Sequence, residues 1–181
     1  FTNRAAIGIR HLMPIFPLLC VVAASSFDRV RQRWSRNRTV AGMLVVLLSW
    51  HVVEALWAYP HYIPYYNEAV GGPAHGIHIS TDSNLDWGQD LPLLMEEIQE
   101  RNIDDFYFIY FGSPDLIPIY GFDAVVPQPE DIGQPGWWAI SATCLSGIGS
   151  RYTSDDLAVF REMKPEAVVA HSIYLYRKPP G

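Results

Sequence analysis

IGIRHLMPIFPLLCVVAASSF (Ile7–Phe27), DRVRQRWSRNR (Asp28–Arg38) and VAGMLVVLLSWHVVEALWA (Val40–Ala58) follow one another near the start of the sequence. Each apolar run is about 20 residues long. At 1.5 Å per helical residue that is enough to cross a hydrocarbon core of about 30 Å. The segment between them carries Arg29, Arg31, Arg33, Arg36 and Arg38 against Asp28. Short loops of that bias stay on the cytoplasmic side. The expectation is a transmembrane helical hairpin over 1–60, with spans of about 7–27 and 40–58 and a cytoplasmic loop at 28–38. Everything after the second span then lies outside.

Aromatic residues support that direction. After Trp57, the residues Tyr59, His61, Tyr62, Tyr65 and Tyr66 crowd into eight positions, where amphipathic rings settle at headgroup level. Pro60 and Pro64 oppose a regular helix there. Residues 61–90 read as an interfacial and outer-rim segment, and 91–181 as a small extracytoplasmic α/β domain. The fold class expected is therefore membrane α-helical, two transmembrane helices followed by that α/β domain.

Charge follows the same division. The chain of 181 residues has a net charge of −6, but residues 1–58 hold 7 basic and 2 acidic side chains, while 59–181 hold 6 and 17. An acidic outer part repels a phosphate backbone, so no nucleic acid partner is expected. Cys20 and Cys144 fall one in each part, Cys20 inside an apolar run, and make no disulfide framework. The sequence opens at Phe1 and leads at once into an apolar segment, which reads as a fragment of a longer chain.

Ionisable groups lie within the spans. Arg10 and His11 are in the first, His51 and Glu54 in the second, where burial costs several kcal/mol unless a partner or water is present. Arg10 is about 26 Å along a helix from Phe27, and Glu54 about 24 Å from Arg38, so both count to the same outer level. Two readings stand side by side: a structural Arg10–Glu54 ion pair, or a polar cavity where a cation meets an anionic lipid headgroup. Pro14 and Pro17 are expected to kink the first span.

Beyond Gly71-Gly72-Pro73, the run DSNLDWGQD concentrates Asp82, Asn84, Asp86, Gln89 and Asp90. Asp82-x-Asn84-x-Asp86 resembles the opening of a calcium loop, yet Trp87 stands where that loop needs glycine and Leu93 where it needs glutamate. The set is a weak metal candidate, and a divalent metal is not the expectation. Alternatively, Asp86 or Asp90 caps the helix that follows, with Pro92 in its first turn. That helix is expected over Leu91–Arg101, because Leu91, Leu94, Met95 and Ile98 recur at spacings of three and four. Strands are expected at Phe106–Phe111, Trp137–Leu145, Ala167–Ala170 and Ser172–Arg177, the last two forming one interrupted strand or a hairpin. A loop is expected at Pro127–Gly136, and a second helix over Ser154–Met163, capped by Thr153 or Ser154. His75 and His78 flank Gly76 and read as a solvated pair. Ser141, Ser146 and His171 do not assemble into a nucleophile triad by spacing.

IGIRHLMPIFP, WHVVEALWAYPHYIPYYNEAVGGP, DSNLDWGQDL, WAISATCLSG and AVVAHSIYLYR together resemble the C-terminal part of bacterial polyprenyl-phosphate-dependent membrane glycosyltransferases. These are similar to glycosyltransferase family 39 and the protein mannosyltransferases. The resemblance implies part of a C-type glycosyltransferase fold in the bacterial plasma membrane. It implies transfer of a sugar from a polyprenyl-phosphate donor to an acceptor protein or glycan on the outer face, without a nucleotide. The partners it implies are membrane lipid, the lipid-linked sugar and the acceptor. The family's catalytic carboxylate lies upstream of this stretch, so no catalytic residue is assigned here and the fragment alone is expected to be inactive. Arg10 and His11 fall where a donor phosphate would arrive. Glu54, Tyr62, Asn67, Glu68, Asp82, Asn84, Asp86, Trp87, Gln89 and Asp90 would shape the outer rim. The alternative is a membrane-anchored extracytoplasmic binding module without catalysis.

Overall fold

The structure, a computed structural model, describes residues 12–80, 84–112, 118–121, 124–148, 151–152 and 155–180. The chain divides into two compact units, with the boundary between Tyr62 and Ile63.

The first unit is helical. α1 runs Ile15–Arg36 and α2 runs Arg38–Ala58, separated only by Asn37. This corrects the loop expected at 28–38: the basic segment is helical through Arg36. Arginine and glutamine are good helix formers, and their charge reports the surroundings rather than the backbone. Asn37 makes the break. Its N–H donates to Arg33 O at 2.9 Å, and its side-chain oxygen accepts from Thr39 N at 2.9 Å and Val40 N at 3.4 Å. That is the capping use for which asparagine is favoured. Pro14 and Pro17 do not kink a helix interior. They stand at the start of α1, where the first N–H groups have no helical partner in any case.

Among the described residues, α2 is the one helix long and apolar enough to cross a membrane. The apolar part of α1, Ile15–Phe27, is shorter. No residue of α2 is buried, so Met43, Leu47, Val53 and Leu56 all stand open. Phe27 lies inside α1, which removes the starting point of the equal-depth count for Arg10 and Glu54. Glu54 is about 26 Å along α2 from Asn37, and Arg10 lies outside the described residues. Trp57 and Tyr59 are 75% and 70% exposed at the end of α2, and Tyr59 meets Tyr62 edge to face at 6.3 Å.

The second unit is a small mixed α/β fold. A 3-10 turn at Glu68–Val70, a second at Pro73–His75 and the single-turn helix α3 (Gly76–Ile79) lead to α4 (Leu91–Glu100). Then come β1 (Phe106–Ile109), β2 (Ala124–Val125), β3 (Gly136–Ser141), α5 (Ala142–Leu145), α6 (Ala158–Glu162), β4 (Ala167–Val169) and β5 (Ile173–Lys178). The five strands stand in the order β2-β1-β3-β5-β4. β1 is parallel to β2 and β3, whereas β5 is antiparallel to both β3 and β4.

Strand alternation distributes the core over both faces. Phe106, Phe108, Ala139, Ile173 and Leu175 pack with Leu91, Leu94 and Ile98 of α4. Ile109, Trp138, Ile140 and Tyr176 pack with Cys144, Leu157 and Phe160. The expected helical stripe of α4 is therefore its buried face, and Pro92 sits in its first turn.

Two expectations change, and the alternatives for the final strands resolve to the hairpin. The strand expected over 137–145 ends at Ser141, where the Ser141 hydroxyl accepts from Cys144 N and starts α5. The helix expected over 154–163 is Ala158–Glu162, and its expected caps Thr153 and Ser154 lie outside the described residues. The two final strands form a hairpin turning at Ala170 and His171, both with positive φ.

Candidate functional site

β1 connects to β2 on one side, and the chain then returns to place β3 on the other side of β1. In an open α/β sheet, the carboxyl ends of two such parallel strands form a crevice that favours ligands. Here the two ends are tied together. Ser141, the last residue of β3, accepts from Phe111 N at 3.2 Å, just past β1. Ser172, immediately before β5, accepts from Ala142 N through its carbonyl at 2.7 Å. The loop NLDWGQD, residues 84–90, belongs to this same end.

Asp90 occupies the N-cap position of α4, but its carboxylate makes no capping bond to the helix. This corrects the capping expectation. The side chain is 4% exposed, and its Oδ2 accepts from the Ser172 hydroxyl at 2.5 Å and from Gln89 Nε2 at 2.6 Å. A carboxylate in a helix's first turn is stabilised by the helix dipole whether or not it caps. Asp90 uses its oxygens to fasten α4 to the turn before β5.

Asp86 is 1% exposed. Its Oδ1 accepts from Gly88 N at 2.8 Å. Its Oδ2, although buried, has no hydrogen-bond partner among the described residues. Burial pushes the Asp86 carboxyl up to about 6. The Gly88 N–H and the nearby Ser141 hydroxyl oppose that rise, and the negative charge of Asp90 adds to it. Tyr110 is pushed up to about 12, first by burial and then by the charge of Asp86. Its hydroxyl lies over Gly88, where an added Cβ would fall 1.6 Å from that oxygen; Gly88 has φ +77°. Glycine alone fits this close approach without strain.

The rest of the motif is turned inward on itself. Gln89 accepts from Trp87 N at 2.7 Å and donates to Leu85 O at 3.2 Å as well as to Asp90. Asn84 Nδ2 donates to Ser80 Oγ at 2.8 Å. Trp87 is 59% exposed. So the structure brings together Asp86, Gln89 and Asp90, and with them Gly88, Tyr110, Ser141 and Ser172.

The remaining candidates lie elsewhere. Asn67 and Glu68 are exposed at the first 3-10 turn. Glu54 and Tyr62 belong to the helical unit. Arg10, His11 and Asp82 fall outside the described residues, so the Asp82-Asn84-Asp86 set stays incomplete. Among the described residues, no three His, Cys, Asp or Glu are grouped to hold a metal ion. His75 turns its Nδ1 to Gly71 O at 2.9 Å and meets His78 edge to face.

Sequence reasoning met Ser141 only as a failed nucleophile and passed over Ser172 and Tyr110. Gly88 between two acidic residues was the available signal, because a glycine there marks a backbone position with no room for a side chain.

The raised Asp86 fixes the sign of a pH effect. The folded state binds this proton more tightly than the unfolded chain, so the stabilisation is complete below about pH 4 and is lost as pH rises through about 6. Denaturant unfolding of the α/β unit is expected to weaken by about 2 kcal/mol between pH 4 and pH 7 from this group. In Asp86→Asn that component is absent, and the difference between the two pH profiles measures it.

No family model, curated protein or solved structure matches the chain.

Proposed function

We propose that the chain is the C-terminal part of an integral membrane glycosyltransferase of the polyprenyl-phosphate-dependent class, with its α/β unit on the outer face of a bacterial plasma membrane. The observation that carries the reading is α2: 21 residues, long and apolar enough to cross a membrane even with Arg38, His51 and Glu54 in it, and none of them buried. A helix apolar all round needs an apolar surrounding, and the described part of this protein does not supply one. The arginines of 29–38 at one end and Trp57, Tyr59 and Tyr62 at the other match the two sides of a bilayer. DSNLDWGQDL supplies the likeness to the transferase group.

In this reading the C1–O bond between sugar and phosphate breaks, and the phosphate leaves with the electron pair. The acceptor hydroxyl oxygen forms the new bond to C1, and its proton passes to a carboxylate of the upstream chain. Arg10 and His11 meet the leaving phosphate and stabilise the charge that develops on it. Glu54 and Tyr62 belong to the same membrane part, while Asn67, Glu68 and residues 82–90 belong to the outer rim.

The test is transfer from a radiolabelled polyprenyl-phosphate sugar by the full-length protein in membranes. Arg10→Ala is expected to lower it by a factor of about 100 or more at unchanged expression. Full activity in that variant removes Arg10 from the site. No transfer by the unmodified full-length protein, whatever sugar is offered, favours the second reading: a membrane-anchored binding module. That reading draws support from the α/β unit's own core on both faces of its sheet.

A further inference from the structure

We propose that the arginines at the α1–α2 junction bind the headgroups of anionic phospholipids through their guanidinium groups, with Arg29 and Arg33 at the centre and Arg31 and Arg38 beside them. The inference rests on the membrane placement of α2 given above and adds a ligand to it. Residues 28–38 hold five arginines against one carboxylate, Asp28. Arg29, Arg31, Arg33 and Arg38 are exposed, and none of the four has an ion-pair partner among the described residues. Their charge is free to meet an anion from outside the chain.

The helical backbone organises that charge. α1 continues through Arg36, so Arg29 and Arg33 stand one turn apart on the same side, about 6 Å along the axis. At that spacing two guanidinium forks can meet one phosphodiester or two neighbouring ones. Arg31 falls on the opposite side of the same helix, and Arg38 opens α2 just beyond Asn37. The neighbours in sequence fix the level. The apolar part of α1 ends at Phe27, two residues before Arg29, and the apolar stretch of α2 begins just after Arg38. In a bilayer the charge then falls just past the hydrocarbon boundary, where lipid phosphates lie.

The residue type goes beyond what sidedness requires. Lysine and arginine hold a loop on the cytoplasmic side alike. Yet all seven basic residues of 1–58 are arginine, while Lys164 and Lys178 both belong to the α/β unit. What arginine adds is a planar fork that fits a phosphate with two hydrogen bonds at once.

The test is native mass spectrometry of the whole chain, released from phosphatidylcholine bilayers containing a minority of phosphatidylglycerol, with each retained lipid counted. The ratio of phosphatidylglycerol to phosphatidylcholine is expected to stand about tenfold above the ratio supplied. Arg29→Gln, Arg31→Gln and Arg33→Gln together should return it to the supplied ratio. The three matching lysine replacements retain the charge and should still lose at least half of the enrichment. Full enrichment in either variant overturns the proposal. So does enrichment in the unmodified chain that survives extraction in molar salt, a result that needs no variant to fold. Loss of the enrichment to millimolar inorganic phosphate also overturns it, because the ligand would then be free phosphate. Flotation with pure phosphatidylcholine vesicles reads the membrane placement separately. A chain that floats with them yet retains lipids in the supplied ratio overturns this proposal alone; a chain that does not float overturns the placement and the proposal with it.

Discussion

Trp138→Ala is expected to destabilise the α/β unit by about 4 kcal/mol, the upper range for removing a buried aromatic side chain. Trp138 is fully buried in β3, the middle strand of the sheet. Its ring stacks on Tyr107 at 4.3 Å and tilts against Phe160 at 4.9 Å, while its indole N–H donates to Gln134 O at 3.0 Å. Alanine leaves a large cavity between the sheet and α6, and it strands a carbonyl. Neighbours on both strands and the helix are large rings that cannot collapse into the gap. A urea titration followed by near-ultraviolet dichroism reads the loss as a lower midpoint at an unchanged slope. Trp138→Phe should recover more than half of it. A loss under about 1 kcal/mol for the alanine variant would mean that the packing on this face of the sheet is not as described.

The second large effect is at Asp90. Asp90→Ala removes one acceptor from two donors at once, the fully buried Ser172 hydroxyl and Gln89 Nε2. A buried donor left without a partner costs about 1–3 kcal/mol, and bonds to a charged acceptor stand at the high end. Relief of the repulsion on Asp86 offsets part of this, so the net loss expected is about 3 kcal/mol. Ser172→Ala removes donor and hydroxyl together and should cost less, about 1 kcal/mol. The double variant should then fall short of the sum by about 1–2 kcal/mol. Strict additivity would show that the short Ser172–Asp90 contact carries no energy.

How much of this was legible depends on whether the deciding contact is local. α4 was, because Leu91, Leu94 and Ile98 repeat at the helical period and all three are buried. The existence of β1 was, because six aromatic and β-branched residues precede Gly112, although the strand itself stops at Ile109. The end of β3 was not: WAISATCL is one apolar run, and the serine that stops the strand does so through a local bond that composition does not reveal. The basic stretch misled in the opposite way. Five arginines describe which side of a membrane a segment prefers and are silent on whether its backbone is coiled or helical, so α1 extends to Arg36. The candidate site was visible as a cluster of oxygen-bearing side chains, but its organisation was not. Asp90 looks like a cap from its own neighbours. Its partner Ser172 lies 82 residues further on, a distance at which only the completed fold speaks.

That long reach also orders the assembly of the unit. β3 receives β1 on one side and β5 on the other, and β5 is the last in sequence of the described strands. Until residues 173–178 have left the ribosome, β3 has an unpaired edge, Asp90 lacks its hydroxyl donor, and α4 has half of its docking floor. Cooperative closure of this sheet therefore waits for the synthesis of β5. Nascent chains arrested ahead of Ile173 should be protease-sensitive throughout the region from α4 onward, and those released beyond Lys178 should become resistant in one step.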